Sequence, residues 1–171
     1  MRQIIVISIL IGWSFGVSGK VLPDNFKRVG QTTLSVLWID VYTAELFTGD
    51  GDYTNDTLSV VIELSYHQNI SQNSLLKETG NQIKEFARDA QIDEWLDSLA
   101  AIWPDIKEGD RLAFWKDKSG LGHFFLKDRW IGSLEDPEFS TAFLKIWLSE
   151  KSSYPQLAKQ LRGESSEDDV N

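Results

Sequence analysis

The chain has 171 residues, of which 17 are basic and 26 acidic, so its formal net charge is −9, and it contains no cysteine. This negative charge argues against binding to nucleic acid, because a phosphate backbone would repel the chain, as would an anionic membrane surface. The lack of cysteine excludes disulfides, zinc–thiolate sites and thiol nucleophiles, so the hydrophobic core must hold the fold.

Residues 1–19 have the pattern of a secretory signal peptide: a positive start at Arg2, an apolar run, and small residues ending at Gly19. An uncleaved membrane anchor is the alternative, but the apolar run is shorter than the ~20 residues of a spanning helix. We therefore predict cleavage after Gly19. This leaves one domain at residues 20–163, an acidic disordered tail at residues 164–171 and no stable membrane span.

The first half of the domain has the pattern of β-strands. Residues 33–47 are predicted to form one long strand or two short ones, followed by a turn at residues 49–52. Residues 57–66 are the clearest strand, because apolar side chains alternate along it. The residues predicted for its core face are Leu58, Val60, Ile62, Leu64 and Tyr66.

The apolar period then changes to that of helices. Ser71 is a candidate cap for a helix over residues 71–90, and a second helix from about residue 93 is stopped by Pro104. The remaining predicted elements are a hairpin of residues 110–115 and 123–126, a strand at 130–134, a helix that opens at Asp136-Pro137, and a helix at 155–161. Strands, helices, strands and helices in this order predict an α+β fold with helices on one face of a mainly antiparallel sheet.

Three stretches of the chain resemble the bacterial chalcone-isomerase-like domain. They are WIDVYTAELF at residues 38–47, IWPDIKEGDRL at residues 102–112, and residues 132–148, which contain DPEF and end in IWL. The resemblance implies an open-faced sandwich, in which helices cover a curved, mainly antiparallel sheet and a ligand cleft lies between the layers. It also implies a bacterial origin, so the signal peptide would export the chain to the periplasm of a Gram-negative bacterium.

The resemblance also implies where catalytic groups would lie. The plant enzymes of this family use an arginine near the start of the first long strand, but residues 30–34 are GQTTL. Tyr42 falls where those enzymes carry a strand threonine, and their catalytic tyrosine has no clear match in residues 67–75. The same arginine and a tyrosine hold the carboxylate in fatty-acid-binding members. Because neither the arginine nor the catalytic tyrosine has a counterpart in this chain, we predict a non-catalytic protein that binds a fatty acid or other small lipophilic ligand.

Five residues are candidates for contact with this ligand, all on predicted strands. Period-two alternation places Trp38, Asp40 and Tyr42 on one face, and Tyr66 lies on the core face of its own strand. Asp40 is either an acid of raised pKa in the cleft or a side chain that meets solvent or pairs with Arg111. Arg111 is either a carboxylate ligand or an internal ion-pair partner.

Other functions are weaker alternatives on sequence grounds. An isomerase or lyase would use Tyr42 and Asp40, and a structural partner of another envelope protein would need neither. His67 and His123 lack the spacing of metal ligands, and the Gly-Asp-Gly-Asp stretch at residues 49–52 is read as a turn rather than a calcium loop. We expect no metal or cofactor, and the sequence leaves any protein partner open.

Overall fold

The computed structural model describes residues 22–164, so the predicted signal peptide at residues 1–19 and nearly all of the predicted tail lie outside the described residues. Six strands and four helices follow one another along this part of the chain. The strands are β1 (Lys27–Val36), β2 (Ile39–Thr48), β3 (Val60–Tyr66), β4 (Arg111–Lys116), β5 (Gly122–Leu126) and β6 (Arg129–Leu134). The helices are α1 (Gln72–Ile83), α2 (Asp89–Ile102), α3 (Pro137–Leu148) and α4 (Pro155–Leu161).

The strands form one antiparallel sheet in chain order, β1 to β6. The predicted α+β fold with a mainly antiparallel sheet is therefore confirmed. Of the two alternatives for residues 33–47, the structure has two strands. They form a hairpin that starts earlier, at Lys27, and turns at Leu37 and Trp38. In the register of this hairpin, Leu34 lies opposite Tyr42 and Val36 opposite Ile39.

The predicted helix over residues 71–90 is shorter in the structure. Its cap is confirmed, because the Ser71 side chain accepts a hydrogen bond from the Ser74 amide, but α1 ends at Ile83. Residues 84–88 form a turn, and α2 already begins at Asp89. Phe86 packs against the core from this turn. The apolar pattern therefore continues across the break and cannot reveal it.

The main core lies between one face of the sheet and the helices. Its centre is a group of aromatic rings with centroids 4.7–6.3 Å apart: Trp103, Phe114, Phe124, Phe139 and Phe143. Val60, Ile62, Leu64 and Tyr66 face this core as predicted. Leu58 does not and is exposed, because β3 begins only at Val60. Within residues 22–164, no helix has the length and apolarity to cross a membrane.

The opposite face of the sheet carries a smaller apolar cluster. Val61, Ala113 and Phe125 are its buried members. Phe26 packs against them from the segment before β1, and Phe47 from β2. The helices therefore cover only one face of the sheet, as in the open-faced sandwich that the family resemblance implies.

Candidate functional site

Tyr42 lies at the interface between the sheet and the helices. Strand register places it opposite Leu34 and Tyr66, and its ring meets the Tyr66 ring edge-on, with centroids 5.8 Å apart. From the other layer, Trp147 on α3 donates a hydrogen bond from its indole Nε1 to the Tyr42 hydroxyl at 3.0 Å. We call Tyr42, Tyr66, Trp147 and the small cavity beside them the Tyr42 site.

Both phenols of the Tyr42 site are neutral near neutral pH, and burial raises their pKa further above the ordinary value of tyrosine. Desolvation raises the pKa of Tyr42 to about 12, against the opposing effect of the Trp147 hydrogen bond. Burial raises the pKa of Tyr66 further still. Among residues 22–164, the Tyr42 hydroxyl accepts one hydrogen bond and donates none. Its proton is thus available to a carbonyl or carboxyl oxygen, but a neutral phenol of this pKa is a poor base near neutral pH.

The cavity of the Tyr42 site is small. Its volume is about 10 Å³, which is roughly the space that one water molecule needs. Its walls come from β1, β2, α1, α3, α4 and the segment between α3 and α4. The lining residues are Thr32, Tyr42, Gln82, Ile146, Trp147, Ser152, Tyr154, Leu157, Ala158 and Leu161. Side chains therefore fill the space between the layers where the family resemblance implies a ligand cleft.

Helix α4 closes this site by packing on β1. The Thr32 hydroxyl donates a hydrogen bond to the Gln160 side-chain oxygen at 2.7 Å. The backbones are also close, since a Cβ atom on Gly30 would lie 2.2 Å from the carbonyl oxygen of Gln160. The segment at residues 30–34, which corresponds to the stretch where the plant enzymes of the family carry an arginine, therefore lies directly beneath α4.

The structure brings only two of the five predicted ligand residues together, Tyr42 and Tyr66. Trp38 lies in the turn between β1 and β2 and is 99% exposed. Asp40 is exposed near the same turn and accepts a hydrogen bond from the Ser35 hydroxyl at 2.5 Å. The predicted shared face of Trp38, Asp40 and Tyr42 is wrong. Trp38 belongs to the turn, and a register shift in the hairpin interrupts the alternation between Asp40 and Tyr42. Tyr42 lies opposite Leu34 but Asp40 lies opposite the next residue, so the two side chains are on opposite faces of β2.

Arg111 lies at the start of β4, on the face of the sheet away from the helices. Tyr42 packs against the main core on the opposite face. Arg111 forms ion pairs with Asp128 and, at 3.6 Å, with Glu63. Glu63 pairs with Ala113 across the sheet, and Ala113 belongs to the cluster on the face away from the helices. The internal ion-pair alternative for Arg111 therefore holds, and the alternative pairing of Arg111 with Asp40 does not.

Trp147 is the main residue of the site that the sequence pattern did not single out. It lies on the apolar stripe of α3 and has the spacing of a core residue. A tryptophan on such a stripe carries a polar N–H that needs a partner once it is buried, and this is the one signal that could have pointed to it. Its partner, Tyr42, is 105 residues away in sequence.

A second hollow, larger than the cavity of the Tyr42 site, is lined by α3, the turn at residues 84–88 and the segment between β2 and β3. It is an open groove of about 860 Å³. Its apolar wall includes Phe86, Leu144 and Leu148. Arg162 also lines it, but its guanidinium is paired with Glu164 at 2.6 and 2.8 Å. Residues 22–164 contain no group of three or more histidine, cysteine, aspartate or glutamate side chains placed to hold a metal ion.

Residues 17–163 match the family model described as chalcone isomerase-like. The chain belongs to the chalcone isomerase-like family. A Haemophilus influenzae protein described as uncharacterized is 27% identical over 142 residues, which span 82% of this chain and 70% of that protein. The crystal structure of an Arabidopsis thaliana fatty-acid binding protein has the same fold, with a TM-score of 0.67 and 17% identity, over 84% of this chain and 89% of that one. The predicted family and fold are both confirmed.

Proposed function

We propose that this chalcone isomerase-like protein is a non-catalytic binding protein for a fatty acid or another small lipophilic ligand, exported to the periplasm. The family supports the proposal, and so does a fold shared with an Arabidopsis protein described as fatty-acid binding. The signal-peptide pattern at residues 1–19 supports export. The proposed location of the ligand is the Tyr42 site.

The observation that carries the proposal is the neutral Tyr42 phenol between the layers. Its hydroxyl accepts a hydrogen bond from Trp147 and keeps a proton that no described residue accepts. Apolar side chains such as Ile146 and Leu157 surround it. A few polar groups in an apolar setting are typical of sites that fix the polar end of a lipophilic molecule. The carboxyl or carbonyl oxygen of the ligand would accept the Tyr42 proton.

A fatty acid cannot enter a cavity of about 10 Å³, so binding requires the site to open. Helix α4 is the element suited to move. It has seven residues, buries only Ala158 and Leu161, and its N-cap residue Tyr154 provides no side-chain hydrogen bond. In the proposed mechanism, α4 and the segment before it move away from β1, and the ligand stabilises this minor open state.

The test is native mass spectrometry of the chain that begins at Lys20, with organic extraction of bound molecules, followed by titration with fatty acids of different length. We expect about one apolar molecule per chain. The substitution Tyr42→Phe keeps the ring and removes the donor, so it should raise the dissociation constant about 3- to 10-fold. Tyr53→Phe is the matched control, because this half-buried tyrosine lies outside the Tyr42 site.

Two results would contradict the proposal. One is a ligand-free protein that takes up none of the added fatty acids. The other is a bound fatty acid whose affinity changes equally in Tyr42→Phe and Tyr53→Phe, because the Tyr42 hydroxyl would then have no specific role.

A further inference from the structure

The β1–β2 hairpin ends in four consecutive exposed apolar residues, which we call the hairpin tip (residues 36–39). Val36 is 46% exposed, Leu37 85%, Trp38 99% and Ile39 55%. The other large apolar residues that are exposed within residues 22–164, such as Leu58, occur singly along the chain. Single exposed apolar residues are common on protein surfaces, whereas four in a row at the end of a hairpin are not.

The backbone conformation of the turn does not account for these apolar side chains. Leu37 and Trp38 have φ angles of 50° and 69°, in the left-handed region that two-residue hairpin turns use and that glycine and asparagine favour. Lys127 and Asp128 adopt the same region, at 50° and 64°, in the turn between β5 and β6. The same fold thus makes this turn with polar residues, so the fold does not explain a bulky apolar pair at the hairpin tip.

We propose that the hairpin tip docks the protein onto a phospholipid membrane by inserting Leu37 and Trp38 among the lipids. The four side chains of the tip expose roughly 500 Å², which is less than the ~800 Å² per partner that a stable protein complex buries. A narrow turn of two residues fits between lipid molecules without a preformed pocket. Tryptophan also favours the membrane–water interface, with aliphatic neighbours reaching deeper.

The charges near the hairpin tip indicate which interaction would hold it at a membrane. Residues 36–39 contain no lysine or arginine, and the nearest charged residue along the chain is Asp40. The whole chain is negative, with a net charge of −9. Apolar insertion, rather than attraction to anionic lipid, must therefore supply the binding free energy. Added salt should weaken it little, and zwitterionic lipid should suffice.

The tip is close to the Tyr42 site. Ile39 and Tyr42 lie on the same strand, three residues apart, or roughly 10 Å along β2. Docking would bring the Tyr42 site to the membrane surface, where lipophilic molecules are concentrated. Exchange of ligand with the membrane rests on the proposed function, whereas docking itself does not.

The test is flotation of the chain that begins at Lys20, which contains the whole described fold, with phosphatidylcholine vesicles. The double variant Leu37→Lys/Trp38→Asp installs the polar pair of the β5–β6 turn and leaves the net charge unchanged. We expect wild-type protein to float with vesicles and the variant to lose about tenfold or more in its partition coefficient. Circular dichroism should show that the variant remains folded.

Leu58→Gln is the matched control, because Leu58 is 66% exposed but lies outside the hairpin tip; its partition coefficient should equal that of wild type. Tyr42→Phe should also bind vesicles normally, which separates docking from ligand binding. Equal flotation of wild type and the double variant would overturn the proposal, as would no flotation of wild type. A dimer of the wild type that the double variant dissociates would also overturn it, because the tip would then contact a second copy.

Discussion

At the scale of single residues, two buried tryptophans on or next to α2 differ in one respect. The Trp95 indole Nε1 donates a hydrogen bond to the Asp136 carboxylate at 2.7 Å. The Trp103 Nε1 is buried and has no hydrogen-bond partner among the described residues. Both rings pack edge-on against phenylalanine, Trp95 against Phe139 and Trp103 against Phe124. A comparison of the two residues therefore separates the contribution of the indole ring to stability from the contribution of its N–H group.

We predict that Trp95→Phe lowers the free energy of unfolding by about 1.5–3 kcal/mol, because it removes a hydrogen bond to a charged group and leaves the Asp136 oxygen without it. Trp103→Phe should cost less, since it removes an unsatisfied donor along with part of the ring. Urea unfolding of both variants measures the difference. A larger loss in Trp103→Phe would mean that ring volume, not hydrogen bonding, dominates at both positions.

At the scale of elements, α4 is the helix whose contact with the sheet decides whether the Tyr42 site is closed. Gly30 allows this contact, because any larger residue would place a carbon atom against the backbone of α4. Thr32 and Gln160 fix it with one hydrogen bond. The sequence predicted a helix at residues 155–161, but no local pattern indicated that it packs on β1.

We therefore predict that Gly30→Ala lowers the free energy of unfolding by about 1–3 kcal/mol, since the added methyl group must displace α4. If α4 covers the proposed ligand site, the same variant should bind fatty acids more tightly than wild type, because less free energy is needed to reach the open state. Urea unfolding and fatty-acid titration measure the two effects. Thr33→Ala is the control for general weakening of the strand, because it removes a hydrogen bond between the Thr33 and Thr43 hydroxyls within the sheet. Unchanged stability in Gly30→Ala would show that α4 adjusts without cost.

At the scale of the whole molecule, one buried carboxylate links the start of β4 to the turn between β5 and β6. Asp110, at the start of β4, is 4% exposed and accepts hydrogen bonds from Lys127 in the β5–β6 turn at 2.6 Å and from the Lys107 amide at 3.1 Å. The Lys127 hydrogen bond lowers the pKa of Asp110, against the effect of desolvation.

The lowered pKa of Asp110 determines how its contribution to stability depends on pH. Because the pKa of Asp110 is lower in the folded state than in the unfolded chain, its contribution to stability is complete above a pH of about 4. It is lost as the pH falls through the folded value. We predict that Asp110→Asn is less stable than wild type at pH 7 and that the difference shrinks towards pH 2. Urea midpoints across this range measure it; a constant difference would show that the charge of Asp110 is not involved.

Much of the fold was predictable because its signals are local. Alternation predicted the core face of β3, including Tyr66, and the caps at Ser71 and Asp136 marked helix starts. Local signals failed where the backbone changed without a change in pattern. The apolar period continues through the turn at residues 84–88, and the turn at Leu37 and Trp38 contains none of the residues that usually mark a hairpin.

The sequence by itself determined the order of the elements, the charge and the family, and it singled out Tyr42 and Tyr66. Only the tertiary structure decided what surrounds them. The Trp147 hydrogen bond joins residues 105 positions apart, and the contact of α4 with β1 joins Thr32 to Gln160 across 128 positions. Whether a cleft is open or filled depends on such contacts between distant residues. Periodicity within a single element cannot encode them, because it records only which side of that element is buried.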